Sequence, residues 1–249
     1  MLTGLIVGTI LLLISFLMGV KPACKVWGSQ TTLSASEAEK KGIENSFRYK
    51  NGKLIVDSTK TAARTTTSIN VKRPENASAQ GIDVSYHQGV INWEKVKNTG
   101  KVDFAIIRCG YGMNEWNETT QTWTQDDPQW EYNTSECERL NIPYGVYLYS
   151  YADTAEKAKS EAEHVIRMLE GKNLSYPIYY DMEDKSVMNN SKITAAKASQ
   201  IAQTFLNTMK AAGYNNLGVY SSKYYFETKL TASVFNQYPK WVAQYSNSC

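Results

Sequence analysis

The sequence predicts an α/β fold in which a parallel sheet closes, or nearly closes, into a β/α barrel. From Gly81 onward, short apolar runs alternate with segments of helical periodicity. Strands that alternate with helices of this length build a parallel sheet, and six or more such units are enough for a barrel. An open doubly wound sheet competes with this prediction. No glycine-rich phosphate fingerprint follows the first strand, which argues against a nucleotide-binding version of that sheet.

Local signals predict the individual elements. The predicted strands are apolar runs at residues 81–85, 104–109, 144–151, 178–183, 217–221 and 241–245. The predicted helices lie between them, at residues 92–98, 128–140, 154–169 and 193–212. Pro128 suits the first turn of a helix, Thr154 is a typical N-cap residue, and Gly213 suits the position after a helix end.

The chain divides into three predicted parts. Residues 1–23 are a signal peptide or transmembrane anchor, because residues 2–20 carry no charge and approach the roughly 20 residues that cross a bilayer as a helix. Residues 24–79 are a basic, mostly unstructured stalk that has few large apolar side chains to bury. Within the stalk, the alternation around Asn51-Gly52 predicts a small hairpin at residues 47–56. Residues 80–249 form the barrel domain.

The order of charges around the apolar segment leaves the topology open. Lys21 and Lys25 follow this segment, and no Lys or Arg precedes it. Under the positive-inside rule this order would leave the domain in the cytoplasm, whereas an export signal places it outside. We expect an extracellular or cell-surface protein, held at the membrane through residues 2–20 if they are not cleaved.

The distribution of charge along the chain argues against a nucleic-acid-binding protein. Residues 1–80 hold 11 Lys or Arg against 5 Asp or Glu, and residues 81–249 hold 16 against 19. A nucleic-acid-binding protein would carry its positive charge on the folded part, so nucleic acid is not an expected partner. The basic segment fits attraction to anionic lipid or wall polymers, or a solvated linker.

The few metal-binding side chains argue against a zinc site. There are four Cys without CxxC spacing and two His: Cys24, Cys109, Cys137, Cys249, His87 and His164. A Cys/His zinc site needs closer ligand spacing, so we expect no metal and no cofactor. Cys109 and Cys137 form a disulfide in an exported protein or remain two buried thiols. We expect a monomer.

Acidic residues cluster where the predicted strands end. Asp83 lies near the end of the first strand, and Asp181 and Glu183 end another. Barrel chemistry sits at the carboxyl ends of the strands, and residues i and i+2 of a strand share a face. Asp181 and Glu183 therefore point the same way, with Met182 opposite. Crowded and partly buried carboxyls have raised pKa values, as glycoside cleavage requires. Asp184 is expected to be a loop or cap residue.

At these residues the chain resembles glycoside hydrolase family 25, the Chalaropsis-type lysozymes or N,O-diacetylmuramidases. The resemblance covers essentially all of residues 81–249, and its ordered set of motifs is specific. The motifs are Gly81-Ile-Asp-Val-Ser-Tyr-His-Gln-Gly, Ile91-Asn-Trp, Phe104-Ala-Ile-Ile-Arg-Cys-Gly-Tyr-Gly, Pro143-Tyr-Gly-Val-Tyr-Leu-Tyr-Ser-Tyr-Ala, Asp181-Met-Glu, Gly218-Val-Tyr-Ser-Ser and Trp241-Val-Ala-Gln-Tyr.

The resemblance implies an irregular, TIM-barrel-like β/α barrel with fewer than eight helices. It also implies hydrolysis of the β-1,4 bond between N-acetylmuramic acid and N-acetylglucosamine in peptidoglycan. Glu183 would be the general acid, Asp181 would orient the substrate's acetamido group or act as nucleophile, and Asp83 would tune both. The residues that map to cleft-lining positions are Tyr111, Tyr147, Tyr149, Tyr220, Trp241 and Gln244.

Family members usually continue beyond the position of Cys249 with a last barrel strand and a further acidic residue. We therefore expect a C-terminally incomplete barrel. Three other functions compete with a muramidase. They are a wall-binding barrel without catalysis, a glycosidase acting on another N-acetylated polysaccharide such as chitin, and an unrelated membrane-anchored interaction protein.

Overall fold

The computed structural model describes residues 49–50, 53–54 and 77–243. The predicted signal or anchor segment, most of the predicted stalk, and Gln244 lie outside these residues. Strands β1 (Tyr49–Lys50) and β2 (Lys53–Leu54) pair antiparallel around Asn51-Gly52, where the sequence predicted a hairpin. None of the described helices has the length and apolar composition needed to cross a membrane.

Six parallel strands form a curled half-barrel sheet, which confirms the predicted irregular barrel. The strands are β3 (Gly81–Val84), β4 (Phe104–Tyr111), β7 (Tyr144–Tyr149), β8 (Ile178–Asp181), β9 (Leu217–Ser222) and β10 (Lys240–Ala243). They lie in the order β3-β4-β7-β8-β9-β10, so each strand pairs with the strand of this sheet that follows it along the chain. All six carboxyl ends therefore meet at one edge of the sheet.

Strict alternation of side chains gives the sheet two different faces. On β8, Ile178 and Tyr180 join the large outer core, while Tyr179 belongs to a smaller inner cluster. The same inner cluster is completed by Phe104, Ile106, Tyr147, Tyr220, Trp241 and Ala243. The inner face is therefore aromatic, and the aliphatic outer face is the one that buries apolar area against helices.

Four of the helices correspond to the predicted ones. They are α1 (Trp93–Asn98), α2 (Trp130–Arg139), α3 (Ala155–Met168) and α5 (Ala195–Ala211). Thr154 caps α3 as predicted, through a hydrogen bond from Lys157 N to its Oγ1. Helix α2 begins two residues later than predicted, because Pro128 and Gln129 form a turn whose Gln129 N donates to Asp127 Oδ1.

Several short elements were not predicted. Strands β5 (Trp116–Asn117) and β6 (Thr122–Trp123) form an antiparallel hairpin after β4. Two short helices, α4 (Lys185–Met188) and α6 (Lys223–Thr228), follow β8 and β9, and short 3₁₀ turns occupy Tyr86–Gln88 and Ser233–Gln237. Cys109 and Cys137 are both buried free thiols, which favours two separate thiols over a disulfide.

Candidate active site

The three predicted acids lie together at the carboxyl edge of the sheet. Asp181 is the last residue of β8, and Glu183 follows it by two positions. Met182, between them, packs into the outer core, so the two carboxyls face inward as the alternation predicted. Asp83 on β3 is close enough for its charge to act on Asp181. The structure therefore brings all three acids into one site.

Burial raises the pKa values of all three carboxyls, and repulsion between their charges adds to this for Asp83 and Asp181. Burial, and then the negative charge of Glu183, raise the pKa of Asp83 to about 8. Burial, and then the charges of Glu183 and Asp83, raise the pKa of Asp181 well above its ordinary value, against the opposing charge of Arg108. Three carboxyls in one dry site cannot all be ionised near neutral pH, so the site retains at least one proton there.

Glu183 is the most accessible of the three acids and has a separate hydrogen-bond partner. The Tyr220 hydroxyl donates to Glu183 Oε2 over 3.2 Å. Burial raises the pKa of Glu183, and this hydrogen bond and the charge of Lys185 lower it in part. A carboxylic acid with a raised pKa, placed at the open edge of the sheet, is suited to donating a proton to a ligand.

Aromatic residues flank Asp181 in a single row across the sheet. Tyr149, Asp181, Tyr220 and Trp241 pair in register on β7, β8, β9 and β10. Trp241 is 1% exposed, and its ring centroid lies 4.4 Å from that of Tyr220 and 5.7 Å from that of Tyr147. Trp241, Tyr147 and Tyr220 thus build the packed floor below the acids.

The other predicted cleft residues lie nearer to the surface. Tyr149 is part-buried, and its hydroxyl donates to Asp184 Oδ2 over 3.2 Å. Asp184 also caps α4 through the backbone amides of Ser186 and Val187, which confirms its predicted cap role. The ring of Tyr111 lies 6.3 Å from that of Tyr151. Gln244 lies outside the described residues, so its predicted contact with substrate stays a prediction.

Arg108, a buried cation of this site, is not among the predicted site residues. Its Nε donates to Asp127 Oδ2 over 2.8 Å, and its guanidinium lies 4.8 Å from the ring centroid of Tyr86. It pairs in register with Tyr147 on the inner face, and Tyr147 lies two positions before Tyr149, the partner of Asp181. A charged residue within an otherwise apolar strand, two positions after the inward-facing Ile106, was the available signal.

A second missed residue, Glu161 of α3, supports the end of β7 from behind. Its carboxylate accepts hydrogen bonds from Ser150 Oγ (2.7 Å), Tyr180 Oη (2.6 Å) and Tyr151 N (2.8 Å). Ser150 N in turn donates to the carbonyl of Asp181. This largely buried network ties the end of β7 to the end of β8, where Asp181 lies.

Unpartnered polar atoms mark the inner site as a place for a ligand. Within residues 77–243, Asp83 Oδ2, Asp181 Oδ1 and one guanidinium nitrogen of Arg108 are buried without a hydrogen-bond partner. Buried polar groups in folded proteins are nearly always paired with protein, water or ligand, so these atoms are able to hydrogen-bond a molecule that enters the site. In the same part of the chain, no group of three or more His, Cys, Asp or Glu is arranged to hold a metal ion.

Comparisons with known proteins agree with this geometry. The sequence profile of glycosyl hydrolases family 25 matches residues 82–248. The chain is 24% identical over 186 residues to the uncharacterized protein YegX of Escherichia coli (strain K12), a match that covers 73% of this chain and 62% of that protein. It therefore spans less than two thirds of the length of this curated relative.

Solved structures share the fold. The modular autolysin LytC from Streptococcus pneumoniae is 37% identical, with a TM-score of 0.59, over 68% of this chain and 38% of that chain. A second structure of LytC holds a synthetic peptidoglycan ligand. A family 25 glycosyl hydrolase from Bacillus anthracis is 16% identical, with a TM-score of 0.58, over 69% of this chain and 72% of that chain; this likeness supports the fold alone. Because the family profile covers well over half of the sequence, the chain belongs to glycosyl hydrolase family 25.

Proposed function

We propose that this protein is a lysozyme-type N-acetylmuramidase that hydrolyses the β-1,4 bond between N-acetylmuramic acid and N-acetylglucosamine in peptidoglycan. The observation that carries the proposal is that buried Asp181 ends β8 and part-exposed Glu183 follows two positions later, with Asp83 close enough for its charge to act on Asp181. Two neighbouring carboxyls that differ in burial are what acid-assisted glycoside cleavage requires. The LytC complex with a peptidoglycan ligand supports this class of substrate.

Glu183 is proposed as the general acid. Burial raises its pKa, which favours the protonated form, and it transfers its proton to the glycosidic oxygen as the bond to the sugar carbon breaks. The Tyr220 hydroxyl holds Oε2, which restricts the rotation of the carboxyl and aims it into the site. Glu183 then takes a proton from the water that attacks the same carbon, and this returns the acid to its starting state.

Asp181 is proposed to act on the acetamido group of the sugar at the cleaved bond. Its buried Oδ1 has no hydrogen-bond partner among residues 77–243, and a substrate N–H would supply one. Held in this way, the acetamido oxygen can attack the sugar carbon and support the positive charge that develops there. Direct attack by the Asp181 carboxylate is the alternative mechanism.

Asp83 and Arg108 are proposed to set the charge state of this pair. Asp83 raises the pKa of Asp181, while the nearby guanidinium of Arg108 lowers it. Arg108 is itself fixed by Asp127. The buried cation and the neighbouring carboxyls thus act on the pKa of Asp181 in opposite directions, and the mechanism needs one acid ionised and another protonated.

The test compares the parent with Glu183→Gln on purified cell walls. Gln preserves the size of the side chain but cannot donate a proton, so we expect wall clearing to slow by about 100-fold or more. A matched control is Glu163→Gln, an exposed α3 carboxylate that lies 3.6 Å from Lys159 and should leave clearing unchanged. Equal rates for Glu183→Gln and the parent would remove Glu183 from the mechanism.

We further propose that the domain acts outside the cytoplasm, because its proposed substrate lies there. The charge-free residues 2–20 would then serve as an export signal or anchor. Fractionation of cells that produce the full chain, with a C-terminal tag and protease added from outside, tests this location. Protection of the tag from the protease in intact cells would contradict it.

A further inference from the structure

A hairpin at residues 110–127 rises from the edge of the sheet that carries the acids. It continues β4 directly, because Tyr111 N donates to Gln125 O and Asp127 N donates to Cys109 O. Strands β5 and β6 form its outer part. At its base, Gly112 N donates to the carbonyl of Tyr149 over 2.9 Å, and Tyr149 is in register with Asp181. The hairpin therefore stands beside the candidate active site.

Polar contacts clamp this hairpin to helix α3. Asp126 Oδ1 lies 2.8 Å from His164 Nε2 and Asp126 Oδ2 accepts from Arg167 Nη1 over 3.0 Å. Asn114 Oδ1 accepts from Arg167 Nε over 2.8 Å, and Asn114 N donates to Ser160 Oγ over 3.1 Å. A two-stranded ribbon is only marginally stable alone, so these contacts give it a fixed position.

The clamped hairpin holds two tryptophans in solvent. Trp116 and Trp123 are directly opposite each other on β5 and β6 and are 40% and 37% exposed. Their rings meet edge to face at 5.2 Å, and the Arg167 guanidinium lies 4.0 Å from the Trp123 ring centroid. Neither ring belongs to the apolar core. Exposed Trp on a rigid element is typical of a binding surface.

Tyrosine rings connect this hairpin with the acids. Tyr151 follows β7 and is 45% exposed, and its ring lies 6.3 Å from Tyr111 at the hairpin base. On the other side it lies 5.2 Å from Tyr149, which is beside Asp181 in the sheet. Aromatic side chains thus extend from beside Asp181 to Tyr111 at the base of the hairpin.

We propose that Trp116, Trp123 and Tyr151, here called the aromatic rim, bind sugar units of the glycan strand that are remote from the cleaved bond. This inference rests on the proposed function. Aromatic rings offer flat apolar faces with polar edges, and these match the apolar faces of pyranose rings. Continuity with the acidic site favours the polymer being cleaved as the occupant, because one extended strand can reach both places.

The test measures affinity as a function of glycan length in the Glu183→Gln background, where the expected slow hydrolysis leaves the probes intact during the binding measurement. The probes are β-1,4-linked oligosaccharides of alternating N-acetylglucosamine and N-acetylmuramic acid with two, four and eight sugars. We expect Trp116→Leu to weaken binding of the eight-sugar probe by about tenfold and to leave the two-sugar probe unaffected. Trp116→Phe, which keeps a flat ring, should retain most of the affinity.

Two further results keep the test decisive. Tyr151→Leu lies outside the hairpin, so it probes the rim without disturbing hairpin folding, and we expect the same dependence on length. Equal affinity of the Trp116→Leu and Tyr151→Leu proteins and their parent for the eight-sugar probe would overturn the rim, and so would failure of the parent to bind any of the probes.

Failure of the rim can be distinguished from failure of the proposed function. The proposed function fails if the protein with Glu183 intact releases no reducing ends from cell walls. The proposal for the aromatic rim is tested only by binding in the Glu183→Gln background. It is therefore supported if Trp116 controls affinity for long glycans, even when the protein shows no hydrolysis. A protein that cleaves walls while Trp116 has no effect at any glycan length refutes the rim alone.

Discussion

Replacing Asp83 by Asn should stabilise the protein, and more so as the pH rises. In the unfolded chain an aspartate ionises near pH 3.9, whereas in the folded domain burial and the charge of Glu183 raise the pKa of Asp83 to about 8. Between these two values the folded protein holds a proton that the unfolded chain releases, so its stability falls with rising pH. Asn has no proton to release, and its amide can donate to the neighbouring carboxyls.

The size of the effect follows from this difference in pKa. At 1.36 kcal/mol for each pKa unit, the parent loses up to about 5 kcal/mol of stability from Asp83 by pH 8, but less than about 0.5 kcal/mol at pH 4. The free energy of unfolding of Asp83→Asn relative to the parent should therefore be near zero at pH 4 and positive by a few kcal/mol at pH 8.

Urea unfolding of both proteins at pH 4, 6 and 8 measures this difference directly. The exposed Glu163→Gln replacement is the control, and its effect should stay within about 0.5 kcal/mol at every pH. A stability difference for Asp83→Asn that is flat across this range, or that shrinks with rising pH, would refute the idea that Asp83 is a buried carboxyl beside Glu183.

Three further replacements test other parts of the site. Tyr220→Phe removes the hydrogen bond that lowers the pKa of Glu183, so the basic limb of the pH profile of kcat/KM should move to higher pH; an unmoved limb would contradict the assignment of Glu183 as the acid. Arg108→Met removes the cation that lowers the pKa of Asp181, so the acidic limb of the pH profile of kcat/KM should move to higher pH. The value of kcat/KM should also fall by at least about tenfold. A change in thermal stability with an unchanged pH profile would show that Arg108 serves the fold only. Gly218→Ala places a methyl group 2.5 Å from the Tyr179 ring and should lower the free energy of unfolding by about 1–3 kcal/mol in urea titrations; a neutral effect would mean that the barrel floor is loosely packed.

The sheet and the placement of its acids were predictable because both depend on alternation along single strands. Asp181 and Glu183 had to share a face once residues 178–183 were predicted as a strand. The strand itself ends at Asp181, yet the alternation continues through Met182, whose burial in the outer core holds the chain in line. Here a local pattern and tertiary packing require the same geometry.

The hairpin at residues 110–127 was not predictable from its own sequence. Residues 117–122 are polar and lack the Asn-Gly or Asp-Gly pair that marks a tight turn. The hairpin depends instead on contacts from Arg167 and His164, which lie more than 35 positions further along the chain. Such contacts follow from the docking of α3 on β4, and this is tertiary information.

The burial of the aromatic residues below the acids was also not predictable from the sequence. Trp241 is predicted to line the cleft by its motif, and the structure places it in the row Tyr149-Asp181-Tyr220-Trp241 with its side chain buried. Whether an inward-facing aromatic residue lies at the floor or at the mouth of a barrel depends on strand stagger, which the sequence of one strand does not contain. The buried Arg108 was missed for a different reason, because its partner Asp127 lies beyond the hairpin that was not predicted.

Mass spectrometry of peptidoglycan digested by the purified protein tests the proposed muramidase activity most directly. If Glu183 protonates the bond between N-acetylmuramic acid and N-acetylglucosamine, every new reducing end will be on N-acetylmuramic acid, and the Glu183→Gln protein will release almost none. New reducing ends on N-acetylglucosamine, or walls that bind the protein but stay intact, would contradict the proposal.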